Sequence, residues 1–169
     1  GIAGGNNVTL PLPDNVGHEI RAVIMNKLEM DVRDTVLLAN AESIAVEASM
    51  VAYEGVVIAA ERDAGSLRTM EENASKFGTH NIEIIPEITI EALEKLPTPR
   101  LAFIVAQKST IENDIVTLLK VNPKIKFIIY TLELDILADI KYLMKKHGVD
   151  VTEVMQIAVS KVDKNGVFV

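Results

Sequence analysis

Residues 34–50 read DTVLLANAESIAVEASM, and this stretch decides how the chain folds. TVLLA is short, apolar and rich in β-formers, the build of a strand covered on both sides. The residues after it have helical rhythm, so a buried strand passes straight into a helix. In α/β proteins such a junction commonly cradles a cofactor, and glycines shape it. Here no glycine occurs between Gly17 and Gly55.

The same alternation extends outward in both directions. The segments Val56–Ala60, Ile82–Ile85, Leu101–Val105 and Lys126–Tyr130 repeat the strand pattern of Thr35–Ala39. Helices are predicted over 17–28, 41–52, 64–77, 90–96, 110–120 and 133–147. In the third, Leu67, Met70, Ala74 and Phe77 mark one face, Asp63 is placed to cap the start, and Gly78 to end it. Gly148 does the same for the last helix. After it the rhythm changes: VTEVMQIAVS at 151–160 is a long strand, and Lys164-Asn165-Gly166 is a turn into 167–169. The expected fold is α/β and Rossmann-like, a mostly parallel sheet with helices on both faces and an antiparallel hairpin at the end. Residues 1–16 are expected to be a flexible leader, and 17–169 one domain. The Pro-bearing stretches 10–14 and 96–100 read as surface connections.

Composition narrows the function. The chain has 169 residues, 49% hydrophobic and 24% charged, with formal net charge −7. That charge, with only three tyrosines, four phenylalanines and no tryptophan, argues against a nucleic-acid channel. No cysteine is present, which removes disulfides, thiolate metal sites and a cysteine nucleophile. Apolar runs such as LAFIVA are strand-length, far short of a membrane span. His18, His80 and His147 are scattered, so no metal site is expected. The six methionines are expected to fill the core. No nucleophile elbow, Walker loop or dinucleotide fingerprint occurs. A cytoplasmic location is expected.

On an open α/β sheet, ligands bind beyond the carboxyl ends of the strands where strand order reverses. The second strand ends VVIAAERD, which puts Glu61 at its tip, where a carboxylate can accept both hydroxyls of a ribose. The plainer alternative is that Glu61 and Asp63 solvate and cap the next helix.

Three blocks carry a family resemblance: Glu19-Ile20-Arg21-Ala22, Glu61-Arg62-Asp63 and Asn73-Ala74-x-x-Phe77-Gly78. In order and spacing, from about Gly17 to Ser160, the chain resembles the decarboxylating precorrin-6Y methyltransferases of cobalamin biosynthesis. The resemblance implies a class I methyltransferase fold, with a seven-stranded sheet whose last strands are antiparallel. It implies S-adenosyl-L-methionine as cofactor and a precorrin tetrapyrrole as substrate. It also implies a homo-oligomer, a tetramer in many members, or a domain fused within a longer chain. By position, the residues implied at the cofactor are Ala39, Asn40, Glu61, Glu87 and Ala106, with Thr131 on the substrate side.

The chain departs from the family where the cofactor's methionine end should rest. The family's Gly-x-Gly-x-Gly turn is replaced by a shorter Ala39-Asn40-Ala41-Glu42, with Asn40 a sensible helix cap. Glycine normally supplies positive φ there and lets bare backbone approach the ligand. Glu42 would also set a carboxylate near the cofactor's own. After the fourth strand, Ala106-Gln107-Lys108-Ser109-Thr110 stands where the family is glycine-rich. Two functions therefore remain open: a divergent methyltransferase with an altered loop, or a non-catalytic domain serving oligomerisation or tetrapyrrole holding.

Overall fold

The computed structural model describes residues 14–151. Five parallel strands are described: β1 (Thr35–Ala39), β2 (Val56–Ala60), β3 (Ile82–Ile85), β4 (Leu101–Val105) and β5 (Lys126–Tyr130). They lie in the order β3-β2-β1-β4-β5. All five match the strands read from sequence. The expected hairpin falls on residues outside the described ones.

Alternation along each strand builds two cores. Leu37, Ala39, Ile58, Ala60, Ala102 and Ile104 face one side. Val36, Leu38, Val57, Ala59, Leu101, Phe103 and Val105 face the other. Every residue of β4 is buried, as a central strand covered on both faces requires. Helices α1 (Asp14–Leu28), α2 (Ala45–Val51) and α3 (Ala64–Phe77) cover the second core, through Ile24, Leu28, Ala48 and Met70. Helices α4 (Ile90–Leu93), α5 (Ile111–Val121) and α6 (Leu134–Lys146) cover the first, through Leu93, Ile115, Leu118 and Ile140.

Local chemistry sets the ends. Asp63 caps α3 by accepting from the Ser66 N–H at 2.8 Å, as its sequence position implies. Gly78 closes the helix at φ 67°, a conformation that suits glycine. At the amino end of the sheet Gly55 is obligatory: a Cβ there would lie 1.9 Å from the Asp34 carbonyl oxygen. Beside it, the Arg100 guanidinium grips both oxygens of Asp34, at 2.7 and 2.8 Å.

Several expectations need correcting. The helix over 41–52 is broken: a 3₁₀ turn at Glu42–Ile44 precedes α2. Phe77, assigned to the apolar face of α3, is 56% exposed, and Met50 is 49% exposed rather than core filler. Both sit at a helix end, where the chain turns away from the sheet. Pro99, in a stretch read as surface, is buried, and its carbonyl accepts from the Asn122 side chain at 3.0 Å.

Candidate functional site

The chain runs outward from β1 through β2 to β3, then crosses back to β4 beside β1. Strand order therefore reverses between β1 and β4, and the crevice beyond their carboxyl ends is the expected ligand position. Ala39 and Ala60 are paired across the β1–β2 ladder, and Ala39 and Ile104 across β1–β4. The residues just past these strand ends are Asn40, Glu61 and Ala106.

Asn40 is the first of them. It adopts φ 56°, the left-handed region that glycine usually occupies and that asparagine tolerates best among other residues. The turn thus keeps its sharp bend without a glycine. Its backbone N–H donates to the Ala60 carbonyl at 3.1 Å. The role as a helix cap is not the one it plays: Ala41 stands at that position, without a side-chain hydrogen bond. The Asn40 amide instead donates to the Val105 carbonyl at 3.1 Å and ties the end of β1 to the end of β4.

Glu61 is 7% exposed at the tip of β2. One carboxylate oxygen accepts from the Asp63 N–H at 3.0 Å. Glu42 lies beside it. Burial pushes the Glu42 carboxyl up, its own backbone contact opposes this, and the neighbouring Glu61 and Asp63 charges add to the rise. Its neighbours are therefore this chain's own acids.

Glu87, after β3, is paired with Arg62 in a short, exposed ion pair. Ala106 is fully buried in the core below the site, with its N–H on the Tyr130 carbonyl at 2.9 Å. Thr131 is 3% exposed, and its hydroxyl accepts from the Glu133 N–H at 3.1 Å, a local turn contact. Ala39, Asn40 and Glu87 come together around one crevice with Ala60, Pro86, Ile88, Thr110 and Asp114. Glu61 comes directly after its wall at Ala60. Ala106 and Thr131 are not part of that lining.

Asp114 is the residue that sequence reading missed. It sits on α5 and is 8% exposed, with burial pushing its carboxyl up to about 6, against the pull of Arg62 and with a push from Glu87. A signal existed: Asp114 falls on the buried stripe of Ile111, Ile115 and Leu118, where an apolar side chain belongs. Among the described residues no group of three or more His, Cys, Asp or Glu side chains could hold a metal ion. Nor is any described helix long and apolar enough to cross a membrane.

Residues 16–169 match the precorrin methyltransferase domain. The chain belongs to that family. Its fold is shared with a precorrin-6Y C5,15-methyltransferase from Geobacter metallireducens GS-15, at 25% identity and TM-score 0.73, over 89% of this chain and 81% of that one. A precorrin 8W decarboxylase from Methanobacterium thermoautotrophicum aligns at 20% identity and TM-score 0.73, over 94% and 87%. The C-terminal domain of a precorrin-6Y C5,15-methyltransferase from Rhodobacter capsulatus aligns at 18% and TM-score 0.66, over 86% and 77%. No curated protein matches the sequence. Membership of a precorrin methyltransferase family ties the chain to cobalamin biosynthesis and bears out the family resemblance read from the sequence.

Proposed function

We propose that the chain is a divergent methyltransferase domain that binds S-adenosyl-L-methionine by its ribose end and acts on a precorrin tetrapyrrole. The observation that carries the reading is Glu61, a buried carboxylate at the tip of β2 beside a turn that keeps its left-handed bend at Asn40. A carboxylate accepts two hydroxyl hydrogens at once, which suits a vicinal diol. When bound, the cofactor supplies an activated methyl group, and its transfer depends mainly on positioning. The protein's task is thus to hold and orient. Glu61 would hold the ribose, and Ala39 and Asn40 would face the ligand across the β1–β4 seam. The residues fit the nucleoside end better than the methionine end, where the Asn40 amide crosses the seam to Val105.

That amide bridge, with Glu42 crowding Glu61, favours a second reading: a domain of this fold that serves assembly or tetrapyrrole holding without catalysis. Calorimetric titration with S-adenosylhomocysteine separates the two. Micromolar binding that is abolished by Glu61→Ala supports the methyltransferase. No heat at millimolar ligand supports the scaffold.

A further inference from the structure

The turns at the carboxyl ends of β1 and β2 bring two carboxylic side chains, Glu42 and Glu61, into hydrogen-bond contact. Glu42 opens the 3₁₀ turn that follows Asn40 and Ala41, and Glu61 is the first residue past β2. The charged groups facing Glu42 are Glu61 and, at the start of α3, Asp63, both acids. Arg62, between those two in sequence, is tied to Glu87. Carboxylates in contact repel when both are ionised, and such pairs relieve the repulsion by sharing one proton.

The two members are held differently. Glu61 is 7% exposed, and one of its oxygens accepts from the Asp63 N–H at 3.0 Å. Glu42 is half-buried, on a turn whose cap makes no side-chain hydrogen bond. Burial pushes the Glu42 carboxyl up, its own backbone contact opposes this, and the charges of Glu61 and Asp63 raise it further. The shared proton therefore belongs on Glu42, the more exposed partner. A carboxylate offers about four acceptor positions. On Glu61 the Asp63 N–H takes one, and a protonated Glu42 takes another. Burial leaves a ligand only part of the rest, and a vicinal diol needs two acceptors at once.

We propose that Glu42 is a latch on Glu61: its protonated carboxyl donates to Glu61 and blocks the diol acceptor, and binding of a ribose releases that proton to solvent. The latch rests on the proposed binding of a ribose at Glu61 and adds to it the residue that makes affinity depend on pH. Once ionised, Glu42 can no longer donate, the like charges part, and both hydroxyls reach Glu61.

The test is calorimetric titration of the full chain with adenosine between about pH 5 and 8. Adenosine carries the diol, lacks the amino-acid end that an ionised Glu42 would repel, and does not itself titrate in that range. The affinity of the unaltered chain should rise with pH, by up to about tenfold per unit until Glu42 has lost its proton. Over the same range the heat should depend on the buffer's ionisation enthalpy, which reports the released proton and needs no variant. Glu42→Gln keeps a donor on Glu61 and should bind weakly at every pH. Glu42→Ala removes the donor and should bind at least as tightly as the unaltered chain does at the top of the range, without pH dependence. A flat affinity in the unaltered chain, or two variants that bind alike, overturns the latch. If Glu61→Ala still abolishes binding in that case, the ribose reading stands without it. Binding that survives Glu61→Ala overturns both, as does no binding by the unaltered chain and Glu42→Ala alike.

Discussion

The two ends of the sheet treat carboxylates in opposite ways. At the amino end, Asp34 receives two hydrogen bonds from Arg100 and one from the Asp31 N–H, and these hold its pKa below the usual carboxylate range. At the carboxyl end, Glu42 and Asp114 are both pushed up by burial, and Asp114 has no donor among the described residues. An end whose charges are satisfied contributes stability. An end whose charges wait for partners sacrifices stability, and natural proteins keep such strain where a ligand can relieve it. The contrast is the ground, in this chain's own chemistry, on which function at the carboxyl end is proposed.

The sharpest way to break the contrast is Gly55→Ala at the amino end. A Cβ 1.9 Å from backbone cannot be accommodated without moving β1 or β2. Denaturant unfolding should show a loss of about 3 kcal/mol or more. A change within about half of one would mean that this end is looser than its close backbone contact implies.

Asp114→Asn should act in the other direction. The folded acid titrates near 6 against an ordinary 3.8, so its neutral form is the one the fold favours. The stability tied to that proton is present below the unfolded value and lost as pH rises through about 6. The variant should therefore be more stable than the parent by about 2 kcal/mol at about pH 8. The difference should shrink as pH is lowered toward about 4. Thermal melts across that range check the sign.

Arg100→Ala reverses that pH profile. Asp34 is depressed, so its contribution is present above the unfolded value and disappears as pH falls through the folded one. Half the Arg100 side chain is exposed, so solvent screening limits the cost to about 1 kcal/mol near neutrality, vanishing in acid. Asn40→Gly should have the smallest effect on stability, within about 1 kcal/mol, because the lost amide bond is offset by easier positive φ. Its value lies in ligand binding. With the bridge to Val105 removed, S-adenosylhomocysteine should bind more tightly if the amide obstructs the methionine end.

The sheet was legible because its signals are local. Thr35–Ala39 and the other four strands announce themselves by composition, and Asp63 and Gly78 by position. The site was legible only in part. Glu61 could be placed at a strand tip, but the ion pair that occupies Glu87 joins residues 25 apart in sequence. Asn40 was read as a cap because a side-chain oxygen before a helix suits one; its backbone hand is set by the path of the turn, which composition does not encode. Phe77 follows the helical period and still escapes burial, since periodicity does not say where the sheet ends. Asp114 left a visible mark, an acid on the apolar stripe of α5, the kind of local inconsistency expected at functional or strained positions.

A crystal of the full chain soaked with S-adenosylhomocysteine examines the carboxyl end most directly. The ribose hydroxyls should lie on Glu61, with the Asn40 backbone still left-handed and its amide released from Val105. A well-ordered nucleoside bound away from Glu61, or a strand end still bare at saturating ligand, would contradict the account.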